Sequence, residues 1–375
     1  MKQSVYVDNF IDFTKEPLFF GEGRNTQRYD VLKYPFFDEL NDKMLAQYWR
    51  PDEIDVSRDK RDFENAPQNI KTAYTRVLQK LIFLDSVQGR GMLQTFGNLI
   101  SNPEFESLVT TWEFFENIHS RSYTHILRSV YANPTEIFDQ SFELKPLVNL
   151  AKRAAQIYDN CYSDATLYLN QCFKNPNAKP DKRLYESLIR LLLTINLIEG
   201  QKFYSGFSCI WSMHFSQGLF ERTSNVLKLI CRDENLHLQV TQYLLRLLRD
   251  KNEEGFAEVY AELTPKIPDI YRESAEEEFT WIEYLFEDGE YLGMSVELAK
   301  TYIKHITNRR LKALALPTIY EGVSQNPIPW VQKYITYDDV EQLPQENELL
   351  VYKFNLLDKY VSDDQLKELE NKLSW

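Results

Sequence analysis

The sequence predicts an all-α protein built as a bundle of long helices. Glycine is scarce, with 12 residues in 375, whereas sandwiches and barrels of β-strands need many glycine-rich turns. Between about residue 66 and residue 316, long stretches with helical periodicity are separated by Pro, Asn and Gly. The apolar fraction of 43% and the charged fraction of 26% are typical of a globular chain with a sizeable core.

End signals and apolar runs place the individual helices. Asn102 before Pro103 predicts an N-cap followed by proline at the first helical position, and the next Asn-Pro pair, at 133–134, ends that segment. Further helices are expected over 144–170, 182–213, 223–249, 254–287 and 291–315.

Segment 80–88 is apolar around a single aspartate, and segment 187–199 is apolar on almost all sides and ends in a glutamate. A helix that is hydrophobic on nearly all sides lies at the centre of a bundle, where a carboxylate needs a partner.

Three parts of the chain are expected. Residues 1–65 are aromatic and irregular, which predicts an arm packed over the bundle, and residues 66–325 form the helical domain. In residues 326–375, prolines at 327, 329 and 344 exclude a continuous helix, and the acidic stretch 345–375 is expected to be a mobile tail.

Charge and composition exclude several classes of function. The net charge of −13 repels phosphate backbones and anionic lipid surfaces, so we expect neither nucleic acid nor a membrane as a partner. No run of about 18 apolar residues is present, and the N-terminal residues lack the pattern of a signal peptide. The four cysteines have no disulfide or zinc spacing, which indicates a reducing compartment and a cytoplasmic protein.

Two Glu-x-x-His motifs are the first signs of chemistry: Glu116 with His119, and Glu234 with His237. Residues three apart are neighbours on one helix face, so a carboxylate and an imidazole at this spacing can bind one ion. An exposed Glu–His pair would leave the same pattern, so each motif alone is ambiguous.

Each motif is preceded by a single carboxylate in an apolar helix. Asp85 lies 31 residues before Glu116 and Glu199 lies 35 residues before Glu234, separations that fit one antiparallel helix pair each. Four carboxylates and two neutral imidazoles are the ligand set of ferritin-like dinuclear proteins. This oxygen-rich set favours iron or manganese over zinc or copper. The sequence therefore predicts a ferritin-like helical bundle with a dinuclear metal site in its core.

Tyr123 follows His119 by four residues and Glu116 by seven, so all three project from one helix face. A phenol one turn from an oxygen-activating metal centre can be oxidised to a radical, although an ordinary core tyrosine fits the same position. Glu113 shares this face, either as an additional ligand or as an ordinary glutamate.

Gly200, directly after Glu199, indicates a distorted helical turn. An apolar lining is expected from Phe115, Phe203 and Phe207.

Together these motifs resemble the radical-generating small, or beta, subunit of class I ribonucleotide reductase of the aerobic bacterial and phage type. The resemblance covers about residues 16–352. It is carried by EPLFFG at 16–21, WRPDEIDV at 49–56, LDSVQGR at 84–90, ENIHSRSYTH at 116–125, Glu199 with Phe203 and Tyr204, RDENLH at 232–237 and NPIPW at 326–330.

The resemblance implies a role for each candidate residue. One metal ion would be bound by Asp85, Glu116 and His119, and the other by Glu199, Glu234 and His237. The resemblance implies two iron ions per chain, with manganese as the alternative, and a stable tyrosyl radical on Tyr123. Trp49, Asp233 and Tyr352 match the family's route for electron and proton transfer.

The resemblance also implies partners. Such subunits are homodimers, and each radical passes to a large, alpha subunit that reduces ribonucleotides to deoxyribonucleotides. At the C-terminus, residues 362–365 form a capping-box pattern, and leucines at 366, 369 and 373 share one helix face. This pattern predicts a helix that docks into a groove of the large subunit, with a disordered tail as the alternative.

Two residues depart from the family's pattern, because Glu113 and Phe115 stand where familiar members carry small residues.

Two other functions compete with the reductase subunit. A dinuclear oxygenase acting on its own substrate would need no relay such as Trp49 and Tyr352, and a ferritin-like storage protein would collect many irons per chain.

Overall fold

Helices make up most of the part of the chain that the computed structural model describes, which comprises residues 6–23, 25–250 and 253–335. Within these ranges β-pairing is limited to two isolated bridges, Phe19 with Ile100 and Tyr291 with Met294. The all-α prediction is confirmed.

The α-helices of this part of the chain are numbered in chain order. They are α1 (Pro35–Ala46), α2 (Ser57–Asn65), α3 (Gln68–Thr95), α4 (Pro103–Val130), α5 (Pro134–Ser141), α6 (Lys145–Lys174), α7 (Lys182–Leu197), α8 (Phe203–Gln217), α9 (Glu221–Asp250), α10 (Phe256–Leu263), α11 (Ile267–Leu285), α12 (Val296–Ala313) and α13 (Gln332–Ile335).

Helix α3 is central and packs against α4, α6 and α8. Helix α9 packs against α7 and α8 and also contacts α4, so the four long helical segments that carry the predicted ligands surround one core. Helix α4 begins as predicted, because the Asn102 side chain accepts a hydrogen bond from the amide of Phe105 at 3.0 Å.

The first 65 residues are less irregular than predicted, because they contain α1 and α2. Helix α1 begins at Pro35 and buries Phe37, Leu40 and Met44, which are spaced three and four residues apart on one helix face. Both helices pack on α4 and α9. The division into an arm, a helical domain and a tail stays a proposal.

Two further helix predictions are wrong in detail. The helix expected over 254–287 is two helices, α10 and α11, separated by a 3₁₀ turn at Thr264–Lys266 that contains Pro265. The helix expected from residue 291 begins at Val296, because Gly289 and Gly293 adopt positive φ angles and Ser295 caps α12.

The C-terminal segment is described only as far as Ile335, through a 3₁₀ turn at Pro329–Val331 and the short helix α13. Tyr352, the tail 345–375 and its capping-box pattern lie outside the described residues. None of the described helices combines the length and the apolar character required to cross a membrane.

Close packing of α3 on α6 gives a test of the fold. A Cβ atom added at Gly91 would lie 2.3 Å from a ring carbon of Tyr158. Helix propensity alone predicts that Gly91→Ala stabilises α3 by about 1 kcal/mol. We expect the opposite sign, a loss of about 1–3 kcal/mol in the free energy of unfolding, because the added methyl group would overpack the α3–α6 contact.

Denaturant unfolding of Gly91→Ala beside Gln94→Ala checks this prediction. Gln94 lies three residues further along α3 and is exposed, so its substitution should change the free energy of unfolding by less than about 0.5 kcal/mol. A Gly91→Ala variant as stable as the parent protein would contradict the α3–α6 packing.

Candidate metal centre

Six buried side chains from four helical segments meet at the centre of the bundle. Each of them has no exposed surface. They are Asp85 from α3, Glu116 and His119 from α4, Glu199 from the turn between α7 and α8, and Glu234 and His237 from α9. These are the six residues predicted as metal ligands.

The i, i+3 spacing brings each imidazole onto a carboxylate. His237 Nδ1 lies 2.8 Å from Glu234 Oε2, and His119 Nδ1 lies 3.6 Å from Glu116 Oε2. The two helices also meet, because His119 Nδ1 is 3.1 Å from Glu234 Oε1 and His237 Nδ1 is 3.3 Å from Glu116 Oε1.

These side chains form two overlapping groups, each with ligand atoms within 4.8 Å of one another. Two glutamates, Glu116 and Glu234, belong to both groups. Asp85 and His119 complete the first group, and Glu199 and His237 complete the second. A carboxylate with two oxygens can bridge two ions, so this arrangement fits a dinuclear centre.

Hydrogen bonds within the protein leave several atoms of these six side chains available to bind a metal ion. Seven atoms of these side chains are buried in the described structure without a hydrogen bond of suitable geometry: both carboxylate oxygens of Asp85, Glu116 Oε2, Glu199 Oε2, Glu234 Oε1, His119 Nδ1 and His237 Nε2. Buried polar atoms are normally satisfied, so a cluster of unsatisfied oxygens is typical of a site that binds a cation. The donor set fits two hard divalent metal ions such as iron(II) or manganese(II).

Burial and mutual repulsion perturb the titration of the carboxylates. Burial, with the nearby Glu116 charge, raises the pKa of Asp85 well above its usual range, and burial with the Glu199 and Glu116 charges does the same to the pKa of Glu234. Burial would also raise the pKa of Glu116, but hydrogen bonds and charges from His119 and His237 outweigh it and lower the pKa.

The imidazoles respond in the opposite sense. Burial alone would lower the pKa of His119, but its hydrogen bond to Asp233 and its contact with Glu116 raise it to about 10. Hydrogen bonds to the glutamates likewise raise the pKa of His237 well above its usual range, against the effect of burial. The cluster therefore attracts cations, whether protons or metal ions.

Three residues around the ligands were not predicted from the sequence. Trp112 Nε1 donates to Glu116 Oε1 at 2.9 Å, and its ring stacks on His237 with centroids 4.9 Å apart. Gln88 donates to Glu199 and accepts from the Tyr158 hydroxyl. Partners of this kind orient metal ligands.

A sequence signal for two of these partners existed. Gln88 follows Asp85 by three residues and Trp112 precedes Glu116 by four, which places each on the helix face of a ligand. Tyr158 lies on α6 and has no ligand in its own helix, so only the packing of α6 on α3 identifies it.

The turn that carries Glu199 is a π-helix over Ile198–Lys202, between α7 and α8. The distorted turn expected at Gly200 is therefore present, and the single helix expected over 182–213 contains this interruption. Gly200 leaves no space for a side chain, because an added Cβ would lie 2.7 Å from Arg310 Cδ and 2.8 Å from Leu238 Cδ1.

A hydrogen-bonded chain leads away from the ligands. Asp233 Oδ2 accepts from the indole nitrogen of Trp49 at 2.7 Å and lies 3.2 Å from His119 Nε2. Trp49 and Asp233 are both buried. One carboxylate thus joins Trp49 to His119.

Tyr123 is fully buried on the ligand face of α4, and its hydroxyl has no hydrogen-bond partner in the described structure. Burial and the neighbouring Asp85 carboxylate raise the pKa of the phenol well above its usual range. Tyr123 therefore stays protonated at neutral pH, beside a carboxylate of the site.

The remaining candidates lie around this core. Glu113 is partly buried, which raises its pKa, and it belongs to neither ligand group. Phe115, Phe203 and Phe207 are buried, and the last two rings stack with centroids 5.9 Å apart.

Comparison with known proteins identifies relatives over the whole chain. A family model described as ribonucleotide reductase, small chain, matches residues 28–327. Ribonucleoside-diphosphate reductase subunit beta of Buchnera aphidicola from Acyrthosiphon pisum is 37% identical over 99% of this chain and all of that protein. The ribonucleoside-diphosphate reductase 1 subunit beta of Escherichia coli O157:H7 is 35% identical over the same shares.

Solved structures show the same fold. The ribonucleotide reductase R2 subunit from Clostridium botulinum has a TM-score of 0.76 and 28% identity, covering 90% of this chain and 99% of that one. The dimanganese(II)-NrdF of Streptococcus sanguinis has a TM-score of 0.68 and 19% identity, covering 84% and 100%, and supports the fold alone. The chain therefore belongs to the ribonucleotide reductase small-chain family, the beta subunits of ribonucleoside-diphosphate reductase.

Proposed function

We propose that this subunit uses its dinuclear centre and O2 to generate a radical on Tyr123, stores it there, and passes it to a large subunit that reduces ribonucleotides. The observation that carries the proposal is the position of Tyr123: its buried hydroxyl lies beside Asp85, which belongs to one of the two ligand groups.

One metal ion is assigned to Asp85, Glu116 and His119 and the other to Glu199, Glu234 and His237. Glu116 and Glu234, which belong to both groups, would be available to both ions. We assign two iron ions per chain, and manganese is the alternative, because both ions use this ligand chemistry.

When bound, the metal pair supplies the oxidising equivalent, drawn from O2, that removes one electron from Tyr123. The phenol must lose its proton at the same time, and Asp85 is the carboxylate that acts most strongly on this hydroxyl. The complete burial of Tyr123 and of the candidate ligands would exclude water and external reductants, which would prolong the life of the stored radical.

Transfer to the large subunit follows the chain from His119 through Asp233 to Trp49. The Asp233 carboxylate accepts a hydrogen bond from the indole N–H of Trp49 and orients the imidazole of His119. The next member of the route, Tyr352, and the docking helix expected at 362–375 lie outside the described residues and stay predictions, as does the homodimer.

Metal binding should stabilise the folded protein, because the metal ions compensate the negative charge of the buried carboxylates. Anaerobic Fe(II) at 1,000 times its Kd should raise the free energy of unfolding by about 4 kcal/mol per site, with two irons bound per chain. Thermal unfolding and iron analysis measure both quantities. In the control Glu116→Gln/Glu234→Gln, which lacks both bridging carboxylates, stabilisation should largely disappear, and an equal rise there would contradict the site.

The radical should depend on one phenol. After Fe(II) loading and exposure to air, EPR should detect a tyrosyl radical in the parent protein and none in Tyr123→Phe, with two irons still bound in each. Tyr260→Phe is the matched control, since Tyr260 is also fully buried with an unpaired hydroxyl in the described structure. A radical that persists in Tyr123→Phe would place it on another residue.

Trp49→Phe should separate radical formation from its use. The variant should bind two irons and form the Tyr123 radical, yet ribonucleotide reduction with the large subunit should fall by about 100-fold or more, because the indole N–H···Asp233 link is lost. Trp330→Phe is the control, since Trp330 stacks on Phe215 at 4.8 Å instead. Equal turnover in the two variants would exclude Trp49 from the route.

A further inference from the structure

The π-helical turn of Glu199 is unusual in its hydrogen bonding. The amide of Phe203 donates to the carbonyl of Ile198, five residues earlier, instead of to a carbonyl four residues earlier. A turn of this kind disrupts the regular α-helical ladder, so neighbouring side chains must support the backbone if the turn is to persist. Its support comes from three other helices, α3, α11 and α12.

Lys80 of α3 supports the end of the turn. Its ammonium donates to the carbonyl of Lys202 at 3.0 Å, to Ser205 Oγ at 2.9 Å and to Glu278 Oε2 at 2.5 Å. These three acceptors match the three protons of the ammonium. The ammonium also lies 3.8 Å from the centre of the Trp281 ring.

Lys80 and Glu278 both have no exposed surface, so this is a fully buried ion pair. Burial lowers the pKa of Lys80 to about 8, against the opposing effect of Glu278, so the ammonium is charged at pH 7. The desolvation of two charges generally cancels their attraction, and an apolar pair of similar size is often equally stable or more stable. Net stability is therefore a poor explanation for the pair.

The other side of the turn is held by neutral hydrogen bonds. Gln201 Nε2 donates to Thr307 Oγ1 of α12 at 2.6 Å, and Ser274 Oγ of α11 donates to Gln201 Oε1 at 2.6 Å. Both Gln201 and Thr307 are fully buried. The turn is thus fixed to the α11–α12 pair as well as to α3.

We infer that the buried pair Lys80–Glu278 is a positioning device for Glu199, which fixes the π-helical turn so that this carboxylate reaches the second ligand group. Lys80 acts through the Lys202 carbonyl, three residues after Glu199, and it contacts no ligand itself in the described structure. The inference rests on the proposed metal site.

The test is the double variant Lys80→Met/Glu278→Leu, which replaces both charges with apolar side chains of similar size. Ser205 keeps the Lys202 carbonyl, 3.0 Å away, as an acceptor. In the metal-free variant, hydrogen exchange of peptides that cover residues 195–206 should be at least about tenfold faster than in the parent protein. The free energy of unfolding should not fall.

Equilibrium dialysis with Mn(II) measures the consequence at the site. One of two Mn(II) ions, the one assigned to Glu199, should bind about 10- to 100-fold more weakly in the double variant, while the other is unchanged. The control Lys300→Met/Glu283→Leu removes a surface ion pair, 2.5 Å long, that joins α11 and α12. It should leave both the local exchange and the two Mn(II) affinities as in the parent protein.

A second variant keeps the inference testable if the double variant does not fold. Thr307→Val preserves size and removes the acceptor of Gln201, so it should accelerate exchange over 195–206 in the same direction. Parent-like exchange and two parent-like Mn(II) affinities in Lys80→Met/Glu278→Leu would overturn the inference. If the parent protein fails to bind two Mn(II) ions, the proposed site is wrong, and exchange in the metal-free proteins still decides whether the pair holds the turn.

Discussion

Compensation of buried charge is the constraint on which the rest of this structure depends. Four carboxylates and two imidazoles lie together at the centre of the bundle without exposed surface. Isolated charges in such an environment are costly, and the histidines satisfy only part of the carboxylate oxygens. Two divalent cations bound by the overlapping ligand groups would balance these charges, which would link metal binding to the stability of the folded core.

The bundle makes this concentration of polar groups possible. Long helices satisfy the hydrogen bonds of their own backbone. The polar groups that need partners at the centre of the bundle are therefore side chains of the site. Trp112, Gln88 and Asp233 then fix the orientation of individual ligands. The one irregular helical segment among the ligands, the π turn of Glu199, is held by contacts from three helices, which shows how much of the surrounding core serves a single carboxylate.

Much of the site could be predicted from the sequence, because its information is local. Glu116 with His119, and Glu234 with His237, are neighbours on their own helices, and a lone carboxylate in an apolar helix indicates an inward position. Pairings across helices could not be predicted in this way. Lys80 and Glu278 are 198 residues apart, and only the packing of α3 on α11 brings them together.

Missed elements have physical reasons too. Helix α1 has an ordinary amphipathic pattern after Pro35, but the aromatic residues around it favour an irregular arm when the sequence is considered alone. The breaks at Pro265 and before Ser295 depend on a 3₁₀ turn and on positive φ angles, which the periodicity of apolar residues does not reveal. The types of ligand residue do not distinguish iron from manganese, because both ions bind the same oxygen and nitrogen donors.

The most direct measurement is anomalous diffraction at the iron edge from crystals of the Fe(II)-loaded protein. The account predicts two peaks per chain inside the bundle, one next to Asp85 and His119 and one next to Glu199 and His237, with Glu116 and Glu234 touching both. A single peak, or peaks bound by Glu113 or by residues outside these two groups, would contradict it.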